Sequence, residues 1–168
     1  MKDNNTKKIV FAALLAALAC VATMIIKIPT PLGGYIHCGD AVVVLAGFLL
    51  GPVWGALSAG LGSALADLIS GYPLYAPGTF IIKALVALIA GWLIGGKFIK
   101  NGFAKALVAG LIGGAVMVGG YMLYEAVFMG FGVAAAANIP MNAIQGAFGA
   151  IAGAALYIAL SKTNYFNK

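Results

Sequence analysis

At 168 residues, 63% hydrophobic and 8% charged, with a mean hydropathy of +1.05, the chain has too little polar surface to face water as a soluble domain. Its net charge of +6 comes from lysines at the edges of apolar blocks, which points to an anionic lipid surface and not to nucleic acid. A helix crossing a core about 30 Å thick needs roughly 17–25 residues, so the length admits roughly six spans and excludes a separate soluble domain. Barrel-type alternation is absent, and Cys20 and Cys38 are too few and too differently placed for a disulfide framework.

Apolar runs occupy residues 9–26, 41–66, 80–94, 106–130 and 134–160, the third broken by Lys83 and the fourth by Glu125. The first is too long and alanine-rich for a signal core and reads as a span. The second is either one tilted helix or two short spans meeting at Gly51-Pro52, a pair that stops one helix and suits the first turn of the next. Lysine placement favours the break. With it, Lys2, Lys7, Lys8, Lys97, Lys100, Lys105, Lys162 and Lys168 share one side, and only Lys27 lies in an opposite loop. The expectation is an all-α integral membrane protein, one domain over 1–168, with six spans at about 9–27, 40–51, 53–70, 78–96, 104–130 and 135–160 and both termini cytoplasmic.

On this topology Asp67, Lys83, Glu125, Asn142 and Gln145 all fall in the outer part of the bundle, while the inner halves are nearly free of hydrogen-bonding side chains. Ionisable groups at such depth cost about 2.5–3.5 kcal/mol each and usually face a bundle interior or a wet cavity. A pocket opening outward is expected, not a channel. Asp67 and Lys83, on consecutive spans, are expected to pair with each other in preference to touching a ligand. Glu125, with Tyr121 one turn before it, is the leading candidate for a ligand carboxylate; the competing role is a structural glutamate.

The loop 27-KIPTPLGGYIHCGD-40 mixes stiff and permissive positions in a long connection and reads as a lid. Tyr35 there, and the tyrosines of 70-SGYPLYAP-77, suit either a membrane interface or a planar ligand. Asp40 stands where its carboxylate would cap a helix start. His37 and Cys38 line the lid or merely pack: adjacent side chains rarely share a metal ion, and there is no second histidine. On the first span, Ala12 and Ala16, and Ala13 and Ala17, form smooth strips suited to close helix approach, whether internal or to a partner. No Gly-rich segment ends in Gly-Lys-Ser/Thr, so no nucleotide site is expected. No cofactor, metal or catalytic residue is expected either.

The stretch 33-GGYIHCGDAVVVLAGFLLGPVWGALSAGLGSALADLISGYPLYAPGTFIIKAL-85, set among six short spans with an Ala-xxx-Ala first helix, resembles the substrate-binding S component of an energy-coupling factor (ECF) transporter. It is most similar to the subgroup associated with pyridoxine and hydroxymethylpyrimidine. The resemblance implies a vitamin captured in the outer pocket with the lid closing over it; the residues read from the sequence as its candidate contacts are Glu125, Tyr121, Asn142, Gln145, Tyr35, His37, Tyr75 and Lys83. It also implies an ECF transmembrane coupling subunit docking on Ala12, Ala13, Ala16 or Ala17, two ECF ATPases, and a bacterial plasma membrane location. Another vitamin of the thiamine or riboflavin class is an alternative. So is a self-sufficient secondary transporter, which would require repeated halves and an inner polar path.

Overall fold

The structure, a computed structural model, describes residues 2–97 and 99–163; of the lysines counted above, Lys168 and the side chain of Lys2 lie outside them. Among the described residues five helices are long and apolar enough to cross a bilayer: α1 (Lys2–Ile25), α2 (Asp40–Ile69), α3 (Ala76–Ile94), α4 (Gly102–Val127) and α5 (Ile139–Ser161). They expose rows of large apolar side chains, such as Leu14 and Leu18 on α1 or Leu57, Leu61 and Leu65 on α2. Such rows suit lipid, where the polar groups must turn inward.

Inside the bundle, small residues let backbones approach. A Cβ on Gly114 of α4 would stand 3.2 Å from the Cα of Gly146 on α5, and one on Gly110 would stand 2.8 Å from the Cα of Ala150. Between α1 and α2, Ser58 Oγ donates to the Ala12 carbonyl at 2.8 Å, and Gly62 lies directly against the Ala16 backbone. Ala12 and Ala16 therefore belong to an internal seam, whereas Ala13 and Ala17 are exposed.

Within α2 the backbone leaves helical geometry at Gly51 (φ 77°, ψ 179°), a conformation that only glycine adopts readily. Pro52 then has no N–H with which to continue the ladder. Positions eight apart on a straight helix are about 12 Å distant. Here a Cβ on Gly55 would fall 2.6 Å from the Gly47 Cα, so the halves of α2 fold back on each other. Gly91 of α3 closes on the same bend: its Cβ would sit 2.8 Å from the Pro52 nitrogen.

Two expected stretches take other forms. The lid-like loop contains a hairpin, β1 (Lys27–Pro29) and β2 (Tyr35–His37), paired antiparallel with Lys27 opposite His37 and closed by Thr30 N–H to the Gly34 carbonyl at 2.8 Å. The start of the last expected span is a 3-10 turn, Gly132–Asn138, and α5 begins only with Pro140 in its first positions. Proline is accepted there because the first N–H groups of a helix have no partner in any case.

Candidate functional site

A cavity of about 20 Å³, room for roughly one water, lies beneath the hairpin where α2 to α5 meet. The hairpin supplies Thr30, Gly34, Tyr35 and His37; α2 supplies Asp67; Tyr75 and Thr79 come from the start of α3. Tyr121 and Glu125 enter from α4, one turn apart, and Asn142 and Gln145 from α5. Seven of the eight ligand candidates read from the sequence are thus brought to one cavity.

Lys83 is not among its lining residues, and the expected Asp67–Lys83 pair is not formed. The ammonium of Lys83, wholly buried, is paired with Asp40, contacts Met117 Sδ at 3.0 Å and lies over the Tyr121 ring at 5.3 Å. Asp40 is likewise not the expected helix cap. Gly39 holds the cap position without a side-chain bond, and the Asp40 carboxylate turns into the bundle. The reason is energetic: a cap contributes about 1 kcal/mol, whereas an unpaired buried Lys83 would cost several.

Gln145 completes this layer, donating to Asp40 Oδ2 at 2.7 Å and accepting the His37 backbone N–H at 2.9 Å. Its amide ties the hairpin to α2 and α5. His37 Nδ1 accepts the Gly39 N–H at 3.0 Å, which leaves the ring proton on Nε2. Burial, reinforced by the nearby Lys83 charge, pushes the His37 pKa down to about 3, so the ring is neutral at physiological pH.

The cavity's two carboxylates are held alike. Tyr35 donates to Asp67 Oδ1 at 2.6 Å, and Tyr75 donates to Glu125 Oε1 at 3.2 Å, where Asn138 Nδ2 adds a second bond at 2.9 Å. Burial first, and then the adjacent carboxylate, holds both phenols well above the usual tyrosine range, so they act as donors. Among the described residues the other oxygens, Asp67 Oδ2 and Glu125 Oε2, are buried and meet no donor within hydrogen-bond geometry, and the same holds for Thr30 Oγ1. Tyr121 shares a 3.0 Å hydrogen bond with Thr79 Oγ1. Sequence reasoning passed over Asn138, Thr30, Gly34 and Thr79. Asn138 carried a signal, an amide directly ahead of Ile139-Pro140 at the head of an apolar run. Cys38 does not line this cavity, and among the described residues no three His, Cys, Asp or Glu side chains converge as a metal site.

A bundle of helices with apolar outer faces closing over a small polar cavity at one end is the architecture of a membrane-embedded protein with an internal polar site. The chain belongs to the family described as "ECF-type riboflavin transporter, S component", whose model matches residues 3–162. The solved structure described as "Structure and mechanism of the S component of a bacterial ECF transporter" superposes with a TM-score of 0.71 at 27% identity, covering 94% of this chain and 96% of that one. The thiamine precursor transporter HmpT of Lactococcus lactis subsp. cremoris is 28% identical over 169 residues, 99% of this chain and 95% of that protein. An uncharacterised protein of Pyrococcus woesei is 38% identical over 143 residues, 84% and 93% of the two chains. These relatives place the chain among membrane transport subunits and not among enzymes.

Proposed function

We propose that the protein captures a pyridoxine- or hydroxymethylpyrimidine-like heterocycle in the cavity under the hairpin and delivers it through an ECF coupling subunit driven by two ATPases. The observation that carries this reading is the enclosed meeting of Asp67, Glu125, Tyr75, Tyr121 and Asn142 at one end of an apolar bundle. The near full-length similarity to a thiamine precursor transporter supports a pyrimidine. The family description favours riboflavin as a second reading. With about 20 Å³ of free space, however, admitting one ring requires less rearrangement than admitting three.

The fold-back at Gly51 supports six membrane-crossing segments with both termini cytoplasmic, because it sets the bend at the same end as Gly91, just before the lysine-rich 97–105 connection. The exposed Ala13 and Ala17 form the proposed coupling face. A location in the bacterial cell membrane is part of the same reading, and the Lactococcus relative supports it. Ligand capture must be linked to the hairpin's position, since the cavity is too small for a vitamin until the hairpin or its tyrosines move. Uptake of labelled hydroxymethylpyrimidine by cells with and without the ATPases tests the proposal: uptake should require them, and undiminished uptake without them would favour a self-sufficient transporter.

A further inference from the structure

The cavity carries two carboxylates, Asp67 and Glu125, and no cation among its lining residues. Lys83 is already paired with Asp40, Lys27 lies exposed at 5.6 Å from the Tyr35 ring centroid, and His37 accepts the Gly39 N–H through Nδ1. Each carboxylate accepts from a tyrosine hydroxyl through one oxygen and, among the described residues, keeps the other buried with no donor within hydrogen-bond geometry; the two residues are 5% and 2% exposed. Buried acceptors of this kind are costly unless a donor meets them. Resting on the reading of the cavity as the vitamin site, we propose that Asp67 Oδ2 and Glu125 Oε2 select a planar heterocycle by its donor edge. An amino group beside a basic ring nitrogen is taken, and an edge presenting carbonyl oxygens is rejected.

The chemistry follows from what each group offers. An ionised carboxylate only accepts, with about four lone-pair sites. An amino group beside a protonated ring nitrogen presents N–H donors in a plane, much as a guanidinium does, and its charge offsets the buried negative charge. A carbonyl oxygen facing the same carboxylate brings acceptor against acceptor and leaves both unpaired. Thr30 Oγ1, likewise without a hydrogen-bond partner among the described residues, is placed to bond a ligand hydroxyl.

The test compares 4-amino-5-hydroxymethyl-2-methylpyrimidine with its 4-oxo counterpart by isothermal titration against the wild-type protein, Asp67→Asn and Glu125→Gln. Wild-type protein should prefer the amino compound by roughly 10- to 100-fold, the ratio expected for one hydrogen bond to a charged group. At least one amide variant should lose most of that preference by weakening the amino compound, since an amide nitrogen can donate to the 4-oxo group. The wild-type comparison stands even where a variant does not fold. Equal wild-type affinities, or a preference untouched in both folded variants, would overturn the proposal. If wild-type protein binds riboflavin, thiamine or pyridoxine tightly and neither pyrimidine, the donor-edge proposal fails while the vitamin-binding reading stands. If folded wild-type protein binds none of the five, both fall.

Discussion

Lys83 of α3 is paired with Asp40 at the first turn of α2, across 43 residues of chain and out of contact with solvent. Removing one member of such a buried pair leaves the other charge uncompensated and costs about 3–5 kcal/mol, whereas replacing both by uncharged groups is often close to neutral. Lys83→Met is therefore expected to lower the thermal midpoint in detergent substantially, and Asp40→Asn/Lys83→Met to recover most of the loss. Because Lys83 does not line the cavity, the double variant should keep its ligand affinity within a few-fold. A single variant as stable as wild type would show that the pair carries no such energy.

His37 supplies a pH test. Its pKa is pushed down to about 3 by burial and by the Lys83 charge, so the folded protein holds the ring neutral while an unfolded chain protonates it near 6.5. Between those values the unfolded state binds the extra proton, and this group's contribution to stability falls as pH drops, by up to about 1.4 kcal/mol per pH unit. As the chain's only histidine, it gives an unmixed ¹⁵N signal. We expect the Nε2–H tautomer with no titration from pH 8 to 5, and a shallower acid loss of stability in His37→Asn. A ring that titrates near 6.5 in the folded protein would contradict its buried position.

The two alanine registers of α1 separate in the structure and should separate in function. Ala13→Leu and Ala17→Leu enlarge exposed positions and should leave ligand affinity and thermal stability near wild type while reducing co-purification with the ATPases and uptake. On the internal register the close contact is at Gly62, whose added Cβ in Gly62→Ala would meet the Ala16 carbonyl, so that variant should lower stability. Normal uptake in both exposed-register variants would remove α1 as the coupling face.

How much of this was legible in the sequence depended on what the membrane penalises. Glu125, Asp67 and Lys83 stood out because charge inside an apolar run is costly, and the lysine-defined topology set Tyr121, Asn142 and Gln145 at the level of Glu125, with which they share the cavity. Which charge meets which was not legible. Depth along a span gives a level in the bundle but not a bearing, so Asp67 was taken as the partner for Lys83. Asp40 also stood where helix caps usually stand. The hairpin was hidden because strands of three residues offer almost no alternation, and Pro29 and Pro31 argue against strand structure. Asn138 was missed because it sits in the 3-10 turn ahead of α5, outside the helical periodicity that revealed the others.

The bend at Gly51 carries the proposed topology, and its sidedness can be measured. Gly51 lies at φ 77°, ψ 179°, where a side chain costs about 1–3 kcal/mol, so Gly51→Ala should destabilise the fold although nothing stands within 4 Å of the added methyl. In a background with Cys20 and Cys38 replaced, single cysteines at Val53 and Asn101 should resist a membrane-impermeant thiol reagent applied to intact cells and react after permeabilisation. A cysteine at Pro73, exposed in the connection between α2 and α3, should react from outside. The three sites are coupled by geometry: Gly91 packs on the Gly51-Pro52 bend, so that bend and the 97–105 connection must share a side, while Pro73 lies a full half of α2 away. Labelling of Val53 and Pro73 from the same side would exclude a crossing by the second half of α2 and with it six crossings, and ready labelling of Asn101 in intact cells would reverse the orientation assigned to the cavity.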